Sequence, residues 1–177
     1  KAQVNVVLGT IMAQRLRDEG VSTDRITVIE NWADGDLILP VPKEDNPLVR
    51  EWQLEGKFVL GYSGNLGQVH EFQTMLEAAE LLKAAEEVVF VFIGDGAGRR
   101  WLEAEVAARG LTNVQFRPYQ PADRLRWSLS LPDVHLISLR PALEGLIVPS
   151  KFYGIAAAGR PVIYVGDPEG EIARILQ

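Results

Sequence analysis

Short apolar runs alternate with stretches of helical periodicity along almost the whole chain. Residues 4–8, 26–29, 58–62, 88–93, 114–116, 134–139 and 162–165 are apolar nearly residue after residue, the pattern of strands covered on both faces. From His70 to Ala85, Phe72, Met75, Leu76, Ala79 and Leu82 or Lys83 follow i, i+3, i+4, i+7 spacing, which predicts a helix with one apolar face. Residues 99–109 read as a second helix, stopped by Gly110. Pro121-Ala122-Asp123 opens a third, and Pro149-Ser150-Lys151 a fourth that ends at Gly159-Arg160-Pro161. A last helix starts near Glu169. Strands and helices alternating through short loops predict an α/β fold built on a doubly wound parallel sheet.

Residues 34–47 break this rhythm. Asp34, Gly35, Asp36, Pro40, Pro42 and Pro47 make a polar, proline-studded connector, expected to be a domain boundary or hinge. The chain begins inside an apolar run and stops at Gln177, a few residues into the last helix, so it reads as a piece of a larger protein.

Composition narrows the chemistry. The 177 residues hold 18 Lys+Arg against 24 Asp+Glu, a net charge of -6, with 47% hydrophobic residues and no cysteine. Zinc-thiolate sites, disulfide scaffolds and a catalytic cysteine are excluded. The apolar content suffices for a sizeable core. The acidic balance argues against a broad nucleic-acid surface while leaving room for a local basic pocket. No run approaches the roughly 18–20 apolar residues of a membrane span. Arg15, Arg17, Asp18 and Glu19 fall too early for a signal peptide.

In open parallel sheets, ligands bind where loops leave the carboxyl ends of strands. Four such loops stand out. In Ser63-Gly64-Asn65-Leu66-Gly67-Gln68, Gly64 and Gly67 let backbone approach an anion, and His70 follows at a helix start. An ordinary turn explains the same residues equally well. Gly94-Asp95-Gly96-Ala97-Gly98-Arg99 resembles a dinucleotide fingerprint. It has Arg99 at the last glycine position, and no acidic residue ends the next strand, so a nicotinamide dehydrogenase is disfavoured. Arg117-Pro118-Tyr119-Gln120-Pro121 offers Tyr119 for stacking on a base, or simply a tyrosine capping a proline-rich turn. In the fourth loop, residues 140–151, Glu144 can accept from sugar hydroxyls while Lys151 and a helix N-terminus neutralise a diphosphate. The alternative is a surface loop with a capping Ser150 and a solvated lysine. Of the two histidines, His135 reads as a core residue of a strand. No Ser/His/Asp set or metal-ligand spacing assembles.

Taken in order, several stretches resemble the donor-binding half of a group 1 (family 4) glycosyltransferase. They are Ile26-Thr27-Val28-Ile29-Glu30-Asn31-Trp32-Ala33-Asp34, Gly61-Tyr62-Ser63-Gly64-Asn65-Leu66-Gly67, Phe92-Ile93-Gly94-Asp95-Gly96, Asn113-Val114-Gln115-Phe116, Val148-Pro149-Ser150-Lys151-Phe152-Tyr153 and Ala158-Gly159-Arg160-Pro161-Val162-Ile163. The likeness is to the branch that builds bacterial surface polysaccharides. It implies a Rossmann-like half of a GT-B fold, truncated at its C-terminus. Residues 1–30 would be the tail of an N-terminal acceptor domain with its linker, and residues 31–177 an incomplete donor domain.

The same resemblance implies a retaining transferase passing a sugar from a UDP- or GDP-sugar to a lipid-linked or saccharide acceptor. No cofactor or metal is implied, and no nucleic-acid partner. The location implied is cytoplasmic, at the inner face of the cell membrane, with peripheral membrane association. These residues alone would bind donor without turnover. By resemblance Glu144 is the catalytic carboxylate, and the donor site comprises Gly64, Asn65, Gly67, His70, Arg117, Tyr119, Gly145, Leu146 and Lys151. Asn65 and His70 stand where many members carry an arginine and a lysine, and Gly154 where an acidic residue often holds ribose. These departures leave a non-catalytic sugar-nucleotide module as an alternative, beside a sugar-nucleotide 2-epimerase of the same fold.

Overall fold

A computed structural model describes residues 2–177. Strands β1 (Asn5–Val7) and β2 (Ile26–Val28) flank helix α1 (Thr10–Asp18) and pair in parallel as a two-stranded sheet. The rest of the chain supplies α2 (Pro47–Glu51), β3 (Phe58–Ser63), α3 (Gln73–Leu81), β4 (Val88–Ile93), α4 (Arg99–Ala108) and β5 (Val114–Arg117). It continues with α5 (Leu125–Ser130), β6 (Val134–Ser138), α6 (Lys151–Ala157), β7 (Val162–Val165) and α7 (Glu171–Leu176). The five later strands form one parallel sheet in the order β5-β4-β3-β6-β7. All seven apolar runs are strands, and the doubly wound α/β architecture is the one their pattern predicts. Among the described residues, no helix is long and apolar enough to cross a membrane.

Strand alternation sorts the core into layers. Leu60, Tyr62, Phe90 and Phe92 pack against Met75, Leu76 and Leu102 of α3 and α4. Their neighbours Val59, Val89, Val91 and Ile93 face the opposite way, onto Leu48, Trp52 and Leu54 around α2. This is the two-residue period of a strand buried on both sides. A third cluster joins Ile137 of β6 to Phe152 and Ile155 of α6 and Ile172 of α7, with Leu8 and Met12 from the first unit packed on it.

Periodicity places the start of α3 at His70, but the helix begins at Gln73. The Glu71 carboxylate accepts from the Gln73 N–H (3.1 Å) and the Thr74 N–H (2.9 Å), ending the preceding loop by capping free donors. The connector at 34–47, expected as a hinge, is fastened along the five-stranded unit. Ile38 is buried against α6, the Val41 N–H donates to Ser130 Oγ (3.1 Å), and Asn46 Nδ2 donates to the Trp127 carbonyl (2.8 Å).

The two sheets are joined by an unusual cap. No residue near α1 caps its N-terminus. Instead Glu171, at the start of α7, accepts from the Thr10 N–H (3.0 Å) and the Ile11 N–H (2.9 Å). A Cβ on Gly9 would sit 2.3 Å from the Glu171 carboxyl carbon, so glycine there makes room for the cap.

Candidate functional site

From β3 the chain winds outward through β4 to β5, and β6 and β7 lie on the other side of β3. The winding direction therefore reverses between β3 and β6, and a crevice is expected beyond their carboxyl ends. A cleft of about 540 Å³ occupies that place. Ser63, Gly64 and Asn65 floor it. Tyr119 and Gln120, past β5, and the start of α6 with Lys151 line it as well. Trp32, just before the connector, and Ile38 within it also line the cleft.

The two glycine loops divide their labour. Gly94 adopts φ +137°, and a Cβ there would stand 2.1 Å from the Gly64 carbonyl oxygen. The Leu66 N–H donates to the Asp95 carbonyl (2.8 Å) and the Gly98 N–H to the Leu66 carbonyl (2.7 Å). Residues 94–98 thus support the loop at 64–67, and the tight-turn explanation accounts for their glycines.

Lys151 dominates the cleft. Its Nζ is buried without a hydrogen-bond partner and lies 3.5 Å above the centroid of the Tyr62 ring. A ring face attracts an ammonium but supplies no acceptor lone pair. The stem packs against Gly64, where a Cβ would stand 3.3 Å from Nζ. Burial pushes the Lys151 amine down to about 7. The solvated-lysine alternative does not hold. Two more polar atoms of the cleft are buried and unpaired, Ser63 Oγ and Gln120 Oε1.

His70 also borders the cleft, 7% exposed, with Nδ1 2.7 Å from the Ser138 carbonyl. Burial foremost, and then the Lys151 charge, hold it down to about 4 against the pull of that carbonyl. A neutral ring bonded to a carbonyl donates from Nδ1 and keeps an acceptor lone pair on Nε2. His70 is therefore no cation for an anionic ligand at neutral pH, a correction to the expected anion contact.

Of the residues expected in the site, the cleft gathers Gly64, Asn65, His70, Tyr119 and Lys151. Gly67 turns into a neighbouring hollow with Phe72, Trp101 and Arg140. Arg117 points away from the cleft. Its guanidinium lies 5.3 Å from the Trp52 ring centroid and donates to the Trp52 carbonyl (3.2 Å) and Gln115 Oε1 (2.7 Å).

Glu144 lies outside as well. One oxygen accepts from Tyr164 Oη (2.7 Å), the other faces the Glu171 N–H at 3.4 Å, and the side chain lines a separate hollow with Thr10, Gln14 and Arg174. Free N–H groups at the start of α7 and a phenol offer this carboxylate more than the open cleft does. Gly145, at φ +76°, packs by Ile11 and Arg15 of α1, and Leu146 is half exposed beside it. Trp32, 81% exposed, and Tyr62 under the lysine carried no role in the sequence reading. A tryptophan two residues before a polar, proline-rich connector, with no apolar face to join, is the available signal.

One buried cation, unpaired hydrogen-bonding atoms, and an aromatic ring, Tyr119, 54% exposed, suit a ligand with an anionic group and a flat polar ring. Comparison with known proteins gives the family and the fold. The family model described as "Glycosyl transferases group 1" matches residues 46–164. A probable glycosyltransferase, WbjE of Pseudomonas aeruginosa, is 31% identical over 171 residues, covering 97% of this chain and 42% of the relative. A putative colanic acid biosynthesis glycosyl transferase, WcaI of Escherichia coli K12, is 28% identical over 169 residues, 94% of this chain and 41% of the relative. The chain thus spans about two fifths of the length of these curated relatives.

Among solved structures, Anabaena HepE in complex with UDP-glucose superposes with a TM-score of 0.79 at 18% identity, over 99% of this chain and 47% of that one. WaaG, a glycosyltransferase of lipopolysaccharide biosynthesis, gives 0.75 at 14% identity, over 97% and 52%. The shared fold is that of a GT-B glycosyltransferase domain.

Proposed function

Because this chain belongs to the group 1 glycosyl transferases, we propose that its cleft holds a nucleoside-diphosphate sugar and that the whole protein passes the sugar to a saccharide or lipid-linked acceptor of a surface polysaccharide. The observation that carries this reading is the buried, unpartnered Lys151 Nζ at the switch point of the sheet. A departing diphosphate is the anion such a group stabilises. As the bond from the sugar's anomeric carbon to the diphosphate oxygen breaks, its electron pair goes to that oxygen, and a fixed positive charge lowers the barrier. Lys151 serves here in the place that a metal ion or an arginine–lysine pair fills elsewhere.

In this reading Tyr119 stacks on the base and Gln120 Oε1 accepts from its edge. Glu144 contributes indirectly, by tying the loop before α6 to the start of α7. Transfer retains the anomeric configuration. Residues 1–30 end an acceptor-binding domain, and residues 31–177 bind donor without turning it over alone. The work is done in the cytoplasm, at the membrane that carries the acceptor.

Calorimetry of the full-length protein with UDP, GDP and ADP tests the site. One nucleotide should bind, and Lys151→Ala should weaken it at least about tenfold, as loss of a charged hydrogen bond does. Glu144→Ala should leave binding within about threefold, because it touches no part of the cleft. Absence of binding by all three, or wild-type affinity in Lys151→Ala, defeats the assignment.

A further inference from the structure

On the reading of the cleft as a nucleoside-diphosphate site, the residues assigned to phosphate and base bracket the pentose. Phosphates meet Lys151, the base meets Tyr119 and Gln120, and the pentose lies between, joined to the phosphates through one methylene. Gly154, one helical turn past Lys151 on the same face of α6, lines the cleft with Leu125, Ser128 and Leu129 of α5 and Ile38 of the connector, and this is the wall we assign to the pentose.

That wall has little to offer a hydroxyl. A Cβ on Gly154 would stand 3.3 Å from Leu129 Cδ1 and 3.7 Å from Ile38 Cδ1, so its surroundings are methyl groups. The Ser128 hydroxyl already donates to the Leu125 carbonyl (3.1 Å). Among the described residues, no Asp or Glu lines the cleft. A carboxylate is a common reader of the ribose diol in nucleotide sites, since its acceptor-only oxygens accept hydrogen bonds from both hydroxyls. A hydrogen bond to the 2′-hydroxyl is what separates ribose from 2′-deoxyribose, since base and phosphates are common to both.

We infer that Gly154 leaves the ribose 2′-hydroxyl unread, so that the cleft takes 2′-deoxyribonucleoside-diphosphate sugars as readily as their ribonucleotide counterparts. Gly154 is thus a specificity-determining position through what it withholds. The absence of a side chain also keeps the wall open: a larger residue would need Leu129 Cδ1, 3.3 Å from its Cβ, to give by a few tenths of an ångström.

The test is calorimetry on the full-length protein with two matched pairs, UDP against 2′-deoxy-UDP and GDP against 2′-deoxy-GDP. In whichever pair binds, the two affinities should agree within about threefold. A preference of about tenfold or more for the ribonucleotide overturns the inference while leaving the donor-site reading intact. Binding by none of the four defeats the donor-site reading itself. Gly154→Glu installs a carboxylate one turn from Lys151 and should raise the ribonucleotide preference to about tenfold. A folded Gly154→Glu protein with an unchanged ratio places the pentose elsewhere and sinks the proposal. If that variant does not fold, the wild-type ratio still decides.

Discussion

Lys151 shows how one side chain sets the terms of a site. Its amine is buried over Tyr62 with no acceptor, and burial lowers it to about 7 from its ordinary 10.5. The folded protein therefore holds fewer protons than the unfolded chain between those values, and this group's contribution to stability rises with pH through that window and is lowest below it. Diphosphate binding runs the other way, because only the ammonium attracts it. Affinity should fall as pH rises above about 7, and binding at pH 8 should take up a proton, seen by calorimetry in buffers of different ionisation heat. A flat affinity profile from pH 6 to 9 would remove Lys151 from the phosphate site. Lys151→Met, which keeps a flexible stem on Tyr62, should bind poorly yet melt no lower than wild type. A lysine opening a helix after a strand was legible from sequence. The ring beneath it was not, because Tyr62 reads as one more apolar strand position. Nor was the fate of Glu144: a carboxylate takes whichever donors the fold brings, and those come from Tyr164 and α7.

Secondary-structure elements were read more securely where burial alone decides them. β3 and β4 are covered on both faces, so their runs announce them, whereas the start of α3 depends on a local choice by Glu71. Gly61, in the middle of β3, meets a constraint that no run reveals: a Cβ there would stand 2.1 Å from Pro132 Cγ. Gly61→Val should lower stability by about 1–3 kcal/mol through overpacking, measured by urea unfolding. The cap that Glu171 gives α1 makes a second prediction at this scale. Glu171→Ala should cost about 0.5–2 kcal/mol, the range for a lost N-cap. Hydrogen exchange should quicken first at Thr10 and Ile11. Protection unchanged at both amides would mean the cap is not holding α1.

The molecule as a whole is acidic at neutral pH, yet two neutral groups add to its sensitivity to acid. His70 and His135 are both buried, each bonded to a carbonyl, and burial holds both down to about 4. The unfolded chain takes up protons on these rings near 6.5 and the folded one does not. Stability should therefore fall as pH drops from about 6.5 to about 4, and be level above that for these residues. Down to about pH 5.0 charge repulsion cannot produce such a fall, because the chain moves toward its neutral point there. Urea midpoints at pH 7, 5.5 and 4.5 check it, and constancy across the three would reassign the histidines to a solvated state. The cap between α7 and α1 also has a consequence in time. Thr10 leaves the ribosome about 160 residues before the carboxylate that caps it. At ordinary rates of synthesis that is an interval of roughly 10–30 s. Through it the first helix stays frayed at its leading end, and it becomes native only when the last helix arrives.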